Sequence, residues 1–203
     1  MEEIKTVSRE LKYSNKWMKV YEDSIIRTNG KKGIYGIVEK GDFCLIVPVE
    51  DGCFWLVEQY RYPVKERRLE FPQGSWEFEK IDPLELAKAE LKEETGITAD
   101  SIQEAGWFYL AYGYSPQKCH VFIAEGLHHG KQELEEEENG LTCKKIPFDE
   151  FHRMIAGNKI ADSSTLAAVT LLKTKNMLPK KPGTFLHNLN RCTISVLLNN
   201  GVF

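Results

Sequence analysis

An α+β fold, with helices laid against a mixed sheet, is what the order of elements predicts. Three observations carry that expectation. Short β-branched and aromatic runs bounded by turn dipeptides fill the first seventy residues. A clearly signalled helix start at Asp82-Pro83 interrupts them. Two more strand patterns, a third after an acidic run, and then two helical patterns complete the series. Strands, a helix, strands and then helices fit α+β, or equally a sandwich of helices on a mixed sheet.

The stretches VYEDSIIRT (20–28) and GIYGIVEK (33–40) flank Asn29-Gly30, a hairpin signal because such turns need positive φ. DFCLIVPV (42–49) and CFWLVEQYRYP (53–63), joined at Asp51-Gly52, repeat the pattern. Their continuous apolar runs predict strands covered on both faces. RRLEFPQGSWEFEKI, residues 67–81, reads as a short strand ending in a glycine loop. In the helix that follows, Asp82 caps, Pro83 takes the first position, Glu85 completes a D-x-x-E capping pattern and Gly96 stops it. IQEAGWFYLAYG (102–113) and KCHVFIAEGL (118–127) are strands around the loop 114–117, and His128-His129 reads as a turn. The run Glu135–Glu138 reads as a solvated loop unless it serves the site considered below. LTCKKIPF (141–148) is a strand, and DEFHRMIAG and SSTLAAVTLLKTKN are helices, the second capped by Asp162 or Ser163. Beyond Pro179 the chain breaks at Pro182-Gly183, and TISVLL is an added edge strand or a docking segment.

With 42% apolar residues in 203, one domain has a core, and a net charge of -3 provides no basic field for non-specific nucleic-acid binding. Cys44, Cys53, Cys119, Cys143 and Cys192 are odd in number, scattered and without a C-x-x-C. That argues against a disulfide scaffold or a zinc site and suits a reducing, cytoplasmic compartment. MEEIKTVSRE lacks the apolar core of a signal peptide, and no apolar run is long enough to span a bilayer. No membrane partner is expected.

The stretch AELKEETGI, residues 89–97, crowds Glu90, Glu93 and Glu94 into one helical turn. Like charges at this spacing repel by a few tenths of a kcal/mol per pair. On a helical wheel Leu84, Ala87 and Leu91 form the core stripe, Glu90 and Glu94 lie beside it, Glu93 lies outward, and Lys88 and Lys92 point elsewhere. The spacing leaves two readings open. Either the acidic face is solvated, or a hard divalent cation at the rim of the core offsets the repulsion.

The stretch FPQGSWEFEKIDPLELAKAELKEETGI resembles the Nudix box, whose pattern is G-x5-E-x7-R-E-U-x-E-E-x-G-U with U a bulky aliphatic residue. Glu90, Leu91, Glu93, Glu94, Gly96 and Ile97 fall in register. EQYRYP, the GYSPQ loop and GNKIADSSTLAAV resemble the ADP-ribose pyrophosphatase branch, so the likeness spans roughly residues 15–175. Two departures stand out. The family Arg falls on Ala89 and the first Glu on Ile81, while the family Gly falls on Ser75, one place after Gly74. Counting forward from Gly74 instead puts that Glu on Lys80, and neither count reaches Glu79. Losing one member of a partly buried pair is costly, whereas replacing both can be neutral. Ile81 and Ala89 are therefore expected to form an apolar substitute for the family's ionic brace.

The resemblance implies a Nudix-like α/β/α sandwich with a mixed sheet over residues 41–178. It also implies an N-terminal β region at 1–40 that joins a homodimer, and it leaves 179–203 as an extension. It implies Mg²⁺-dependent (or Mn²⁺-dependent) hydrolysis of the diphosphate in ADP-ribose or a similar nucleoside diphosphate sugar. The alternatives are another nucleoside diphosphate derivative or dinucleotide, or a nucleotide-sensing domain without turnover. Glu90, Glu94 and the Gln73 carbonyl are the expected metal ligands, and Glu93 binds a second ion or orients water. The branch often takes its base from a Glu on the loop after the box. Gln117 sits near that place here, and an amide cannot take a proton at neutral pH, so Glu93 and Glu138 are the candidate bases. Arg61 reaches a phosphate or pairs with Glu58 or Glu70, Glu70 backs the site, and Arg67 and Arg68 are solvated. Tyr60, Trp76, Tyr112 and Tyr114 stack on a base or belong to the core. His120 and His152 are structural, and no cysteine has a base beside it in sequence to make it a nucleophile.

Overall fold

The computed structural model describes residues 3–75 and 81–179, and it contains two sheets and three α-helices. The expectations for Trp76, Glu79, Lys80, Cys192, the Pro182-Gly183 break and the TISVLL segment fall outside the described residues.

The N-terminal region is a three-stranded antiparallel sheet rather than a hairpin: β1 (Ile4–Ser14), β2 (Lys19–Arg27) and β3 (Lys32–Glu39), in that order. Gly30 turns the β2–β3 connection with φ 77°. Strand β1 was not visible in the sequence because its alternation is broken twice. The register against β2 slips between Thr6 and Ser8 and between Leu11 and Tyr13, so Ile4, Val7, Leu11 and Tyr13 lose a period of two.

The second sheet is mixed, with the path β10-β5-β4-β9-β8. Strands β4 (Phe43–Glu50) and β5 (Cys53–Arg61) are joined as expected at Asp51-Gly52, both at positive φ. They pair only at Val49↔Phe54 and Glu50↔Cys53 before parting. Each then takes a different neighbour: β6 (Glu66–Glu70) lines β5, and β7 (Gln73–Ser75) lines β4. β9 (Lys118–His129) runs parallel to β4, β8 (Ile97–Tyr109) runs antiparallel to β9, and β10 (Thr142–Pro147) closes the far edge on β5. His128-His129 thus ends a strand instead of making a turn, and β8 begins five residues earlier than expected.

The parted strands sit between two apolar layers, as their unbroken hydrophobicity foretold. On one face Phe43, Leu45 and Val47 meet Phe151 of α2 (Phe148–Ala156) and Ala168, Val169 and Leu172 of α3 (Ser163–Thr174). Rings of Phe54, Phe71, Phe148 and Phe151 cluster beneath α2, with Phe54 and Phe148 centroids 4.3 Å apart. On the other face Cys44 and Ile46 meet Leu86, Ala87 and Leu91 of α1 (Pro83–Thr95). Truncating Leu91 to Ala would cost about 2–5 kcal/mol at such a site. The α/β/α sandwich expected from the resemblance is therefore the observed architecture.

Helix α1 starts and stops where the sequence places its signals. Asp82 Oδ1 accepts from Leu84 N at 2.9 Å, and Gly96 takes φ 71° with its N–H on Lys92 O. Glu85 holds Lys88 Nζ at 2.6 Å rather than reaching back to the cap. Asp162 caps α3 by accepting from Thr165 N at 2.7 Å. Ile81 is 46% exposed and joins neither core cluster, so Ile81 and Ala89 do not form the buried apolar brace expected of them. The packing of Leu86, Ala87 and Leu91 holds the helix instead. Among the described residues no helix is long and apolar enough to cross a membrane.

Candidate active site

The last turns of α1 face β7, where β4 and β5 have parted. Glu94 lies on the core stripe itself, seven residues after Ala87, and is 1% exposed, deeper than the rim the wheel suggested. Its Oε2 accepts from Gln73 N at 3.0 Å. Glu90, one turn earlier, lies over β7 at Gly74, where a Cβ would overlap its carboxylate. The glycine is needed for room, not for an unusual φ.

Glu90, Glu94 and Glu138 form a cluster whose carboxylate oxygens lie within 4.8 Å of one another. Glu138 arrives from the acidic run, which folds as a short 3-10 turn, Glu136–Glu138. Its Oε2 accepts from Glu135 N at 3.1 Å. The run is therefore no detached solvated loop. Glu93, the other candidate base, is half-buried outside this trio but close enough for its charge to act on Glu90.

The electrostatics follow from the crowding. Burial, then the charges of Glu93, Glu138 and Glu135, push the Glu90 carboxyl up to about 8. Burial, then Glu90 and Glu138, hold Glu94 well above the usual carboxylate range, and the Gln73 amide opposes only part of this. Three carboxylates gathered this closely, two of them raised by burial and by one another's charge, are a donor set for a hard cation. Their all-oxygen chemistry fits Mg²⁺ or Mn²⁺ rather than a soft metal.

The remaining expected residues are distributed differently. Glu70 is 3% exposed and accepts from Gln59 Nε2 at 2.9 Å and Arg61 Nε at 3.2 Å, and the Arg61 guanidinium also pairs with it through Nη2. Arg61 and Glu70 thus spend much of their bonding on each other. Burial still raises the Glu70 carboxyl, with Arg61 pulling the other way. Arg67, expected to be solvated, donates through Nη2 to Gly140 O at 2.7 Å and Glu58 O at 2.8 Å. Gln117 is buried and donates to Gly41 O at 2.5 Å, so its amide anchors the loop.

Tyr114 lies in a cleft of about 540 Å³ between the N-terminal sheet and the 110–117 loop, with Arg9, Tyr35 and Tyr112. Tyr35 Oη donates to Gly113 O at 2.9 Å and Val38 N to Tyr114 O at 2.8 Å, tying the two regions together. Tyr60, Tyr112 and Tyr114 are all exposed and belong to no core. Burial raises the thiols of Cys44, Cys119 and Cys143, the last to about 11, which disfavours a nucleophilic thiolate at any of them. Arg67 stood out in the sequence only as a solvated residue and Gln132 not at all, because their contacts are with backbone carbonyls distant in the chain.

The fold is thus a mixed-sheet sandwich with three carboxylates gathered where α1 meets β7, a donor set that would suit a hard divalent cation. Residues 40–168 match the NUDIX domain and residues 4–38 the nucleoside diphosphate sugar hydrolase N-terminal domain. The chain belongs to the Nudix family. It is 29% identical over 179 residues to the ADP-ribose pyrophosphatase of Bacillus subtilis (strain 168), covering 87% of this chain and 96% of that protein. It is 28% identical over 181 residues to the methanol dehydrogenase activator of Bacillus methanolicus, covering 88% and 97%. Among solved structures, an ADP compounds hydrolase superposes with a TM-score of 0.75 at 19% identity, covering 88% of this chain and 98% of that one, a likeness of fold.

Proposed function

We infer that this protein hydrolyses the diphosphate of a nucleoside diphosphate linked to a sugar, ADP-ribose or a close analogue. The products are a nucleoside monophosphate and a phosphorylated sugar. The observation that carries this reading is the Glu90–Glu94–Glu138 cluster at the split between β4 and β5. The relative named for ADP-ribose pyrophosphatase, matched along nearly its whole length, supports the substrate class.

Mg²⁺, when bound, supplies positive charge to phosphoryl oxygens and makes an attacking water more acidic. The chain's own part is to hold and orient. Glu90 and Glu94 are the ligands, with the Gln73 carbonyl proposed beside them. Gly74 keeps the Glu90 carboxylate against β7, and the Gln73 N–H fixes one oxygen of Glu94. Glu138 adds its charge to the cation site as the third carboxylate of the cluster and accepts the proton of the attacking water; Glu93 orients water or holds a second cation, and the new P–O bond forms as the bridging P–O bond breaks. Gln117 takes no proton, since its amide is buried on Gly41. Arg61, steadied by Glu70, turns its exposed side to a phosphate, and Tyr114 stacks on the base from the N-terminal cleft.

Residues 1–40 form the contact to a second copy, residues 41–178 form the catalytic domain, and the protein acts in the cytoplasm. Incubation with ADP-ribose, other nucleoside diphosphate sugars and dinucleotides, with Mg²⁺ or Mn²⁺, followed by product analysis, tests this reading. AMP and a sugar phosphate from ADP-ribose support it. Nucleotide binding without products from any of them would replace it with a sensing role.

A further inference from the structure

The turn that carries Glu138 is held at both ends by contacts outside the cluster. On its leading side, residues 130–133 lie along the end of α1. Gly130 N donates to Gly96 O at 2.7 Å, Gln132 Nε2 to Glu94 O at 2.6 Å, and Glu133 N to Glu93 O at 3.0 Å. A helix leaves its last carbonyls without intrahelical partners. Here those of Glu93 and Glu94 are met by the segment that leads to Glu138. A Cβ at Gly96 would come within 2.7 Å of Gly130 O, so the approach needs the glycine that also ends the helix. Lys92 and Glu133 add an ion pair at 3.0 Å, but both are exposed and it contributes little.

On the trailing side, Arg67 reaches from β6 to Gly140 O, and Leu141 is buried behind it. Arg67 binds Glu58 O with the same nitrogen and lies 3.6 Å from the Glu58 carboxylate, so its head is fixed by β5. Two well-separated contacts, Gln132 donating onto the end of α1 and Arg67 reaching from β6, thus define where the turn sits.

We propose that Gln132 and Arg67 are positioning residues that hold the 135–140 turn so that Glu138 meets Glu90 and Glu94. They set cation affinity and turnover through Glu138, without touching substrate. This rests on the reading of the cluster as the hydrolase's cation site.

The test is a double-mutant cycle on the full chain. Gln132→Met and Arg67→Met each remove the donor and keep most of the bulk, and Arg67→Lys restores one cationic donor. Each is made alone and with Glu138→Gln. Mn²⁺ affinity is read by calorimetry, kcat and KM on ADP-ribose, and folding by Tm. The expected result is a loss of about tenfold in Mn²⁺ affinity and in kcat for each Met variant, with KM and Tm held and partial recovery in Arg67→Lys. In the Glu138→Gln background the same substitutions add nothing, because they act through the missing carboxylate. Full effects in that background, or unchanged Mn²⁺ affinity in both Met variants, would overturn the proposal. A wild-type protein that binds no Mn²⁺ overturns the underlying cation-site reading as well. One that binds Mn²⁺ without hydrolysing ADP-ribose leaves the affinity cycle to decide.

Discussion

Glu90 places its carboxylate in the space that a Cβ on residue 74 would occupy. A flexible side-chain end is what stands in the way, so Gly74→Ala should displace the ligand rather than the strand. The expected outcome is a loss of about 10–100-fold in kcat/KM with little change in Tm. Steady-state kinetics beside thermal denaturation check it. Wild-type kinetics would mean that Glu90 serves equally well from elsewhere.

Stability should fall as pH rises through the range in which Glu90 ionises. Its folded carboxyl sits at about 8, above the ordinary value of 4.5. Between those values the folded chain binds more protons than the unfolded one, so the slope of unfolding free energy with pH is negative. Glu94, also raised by burial, acts in the same direction. In EDTA the Tm should drop from pH 5 to pH 8, by roughly 2–4 °C for each kcal/mol of unfavourable ionisation. Mg²⁺ or Mn²⁺ should restore it, most strongly at the alkaline end, where cation and proton compete least. A Tm that is flat with pH, or indifferent to the cations, would contradict this.

Glu94→Gln separates the two sides of that argument. The amide oxygen can still accept from Gln73 N, and no charge remains to be buried. In EDTA at pH 8 the variant should melt at or above the wild-type temperature, while turnover falls by about 100-fold or more. Melting well below wild type would show that the carboxylate is held by contacts that favour its charge.

Arg61→Met tests whether that arginine braces or binds. It leaves Glu70 buried with Gln59 as its remaining donor. Because the Arg61 side chain is 41% exposed, the cost should be about 2–3 kcal/mol, below that of a fully buried pair. Adding Glu70→Gln should recover most of the Tm. Any rise in KM that survives in the double variant reports a contact between Arg61 and a phosphate. A KM that returns with stability assigns the pair to the frame alone.

How much of this was readable in the sequence depends on range. Local signals held: Asp82, Pro83 and Gly96 bound α1, Asp51-Gly52 turns β4 into β5, and Asp162 caps α3, since each acts on the backbone within four residues, by capping it or by the dihedral angles it adopts. The crowding of Glu90 and Glu94 was equally plain. Long-range facts were not. Nothing in CFWLVEQYR says that β5 leaves β4 after two pairs, because the parting is decided by the β6–β7 excursion that fills the gap. Glu138 could be named from its charge, but its approach to Glu94 depends on Gln132 and Arg67 meeting carbonyls 38 and 73 residues away. The wheel misjudged Glu94 because it treated the core as apolar, whereas the fold buries a carboxylate on the Ala87 stripe.

The N-terminal sheet yields the last prediction. Strand β1 is exposed along all eleven residues, yet carries Ile4, Val7, Leu11 and Tyr13, and β3 adds Ile34 at 64% exposure. An open edge strand with apolar side chains invites pairing unless charge or cover protects it. A second copy of this chain is the proposed cover, and a stable pair would bury about 800 Å² on each side. Light scattering on the eluting protein should give twice the chain mass at micromolar concentration. Val7→Lys with Ile34→Glu should shift it to the monomer without lowering Tm of the main domain, since neither side chain enters the two core clusters. If Tyr114 and its cleft bind the base with help from that second copy, KM should rise in the same variant while kcat holds. A wild-type monomer at these concentrations would remove the dimer and leave the cleft to one chain.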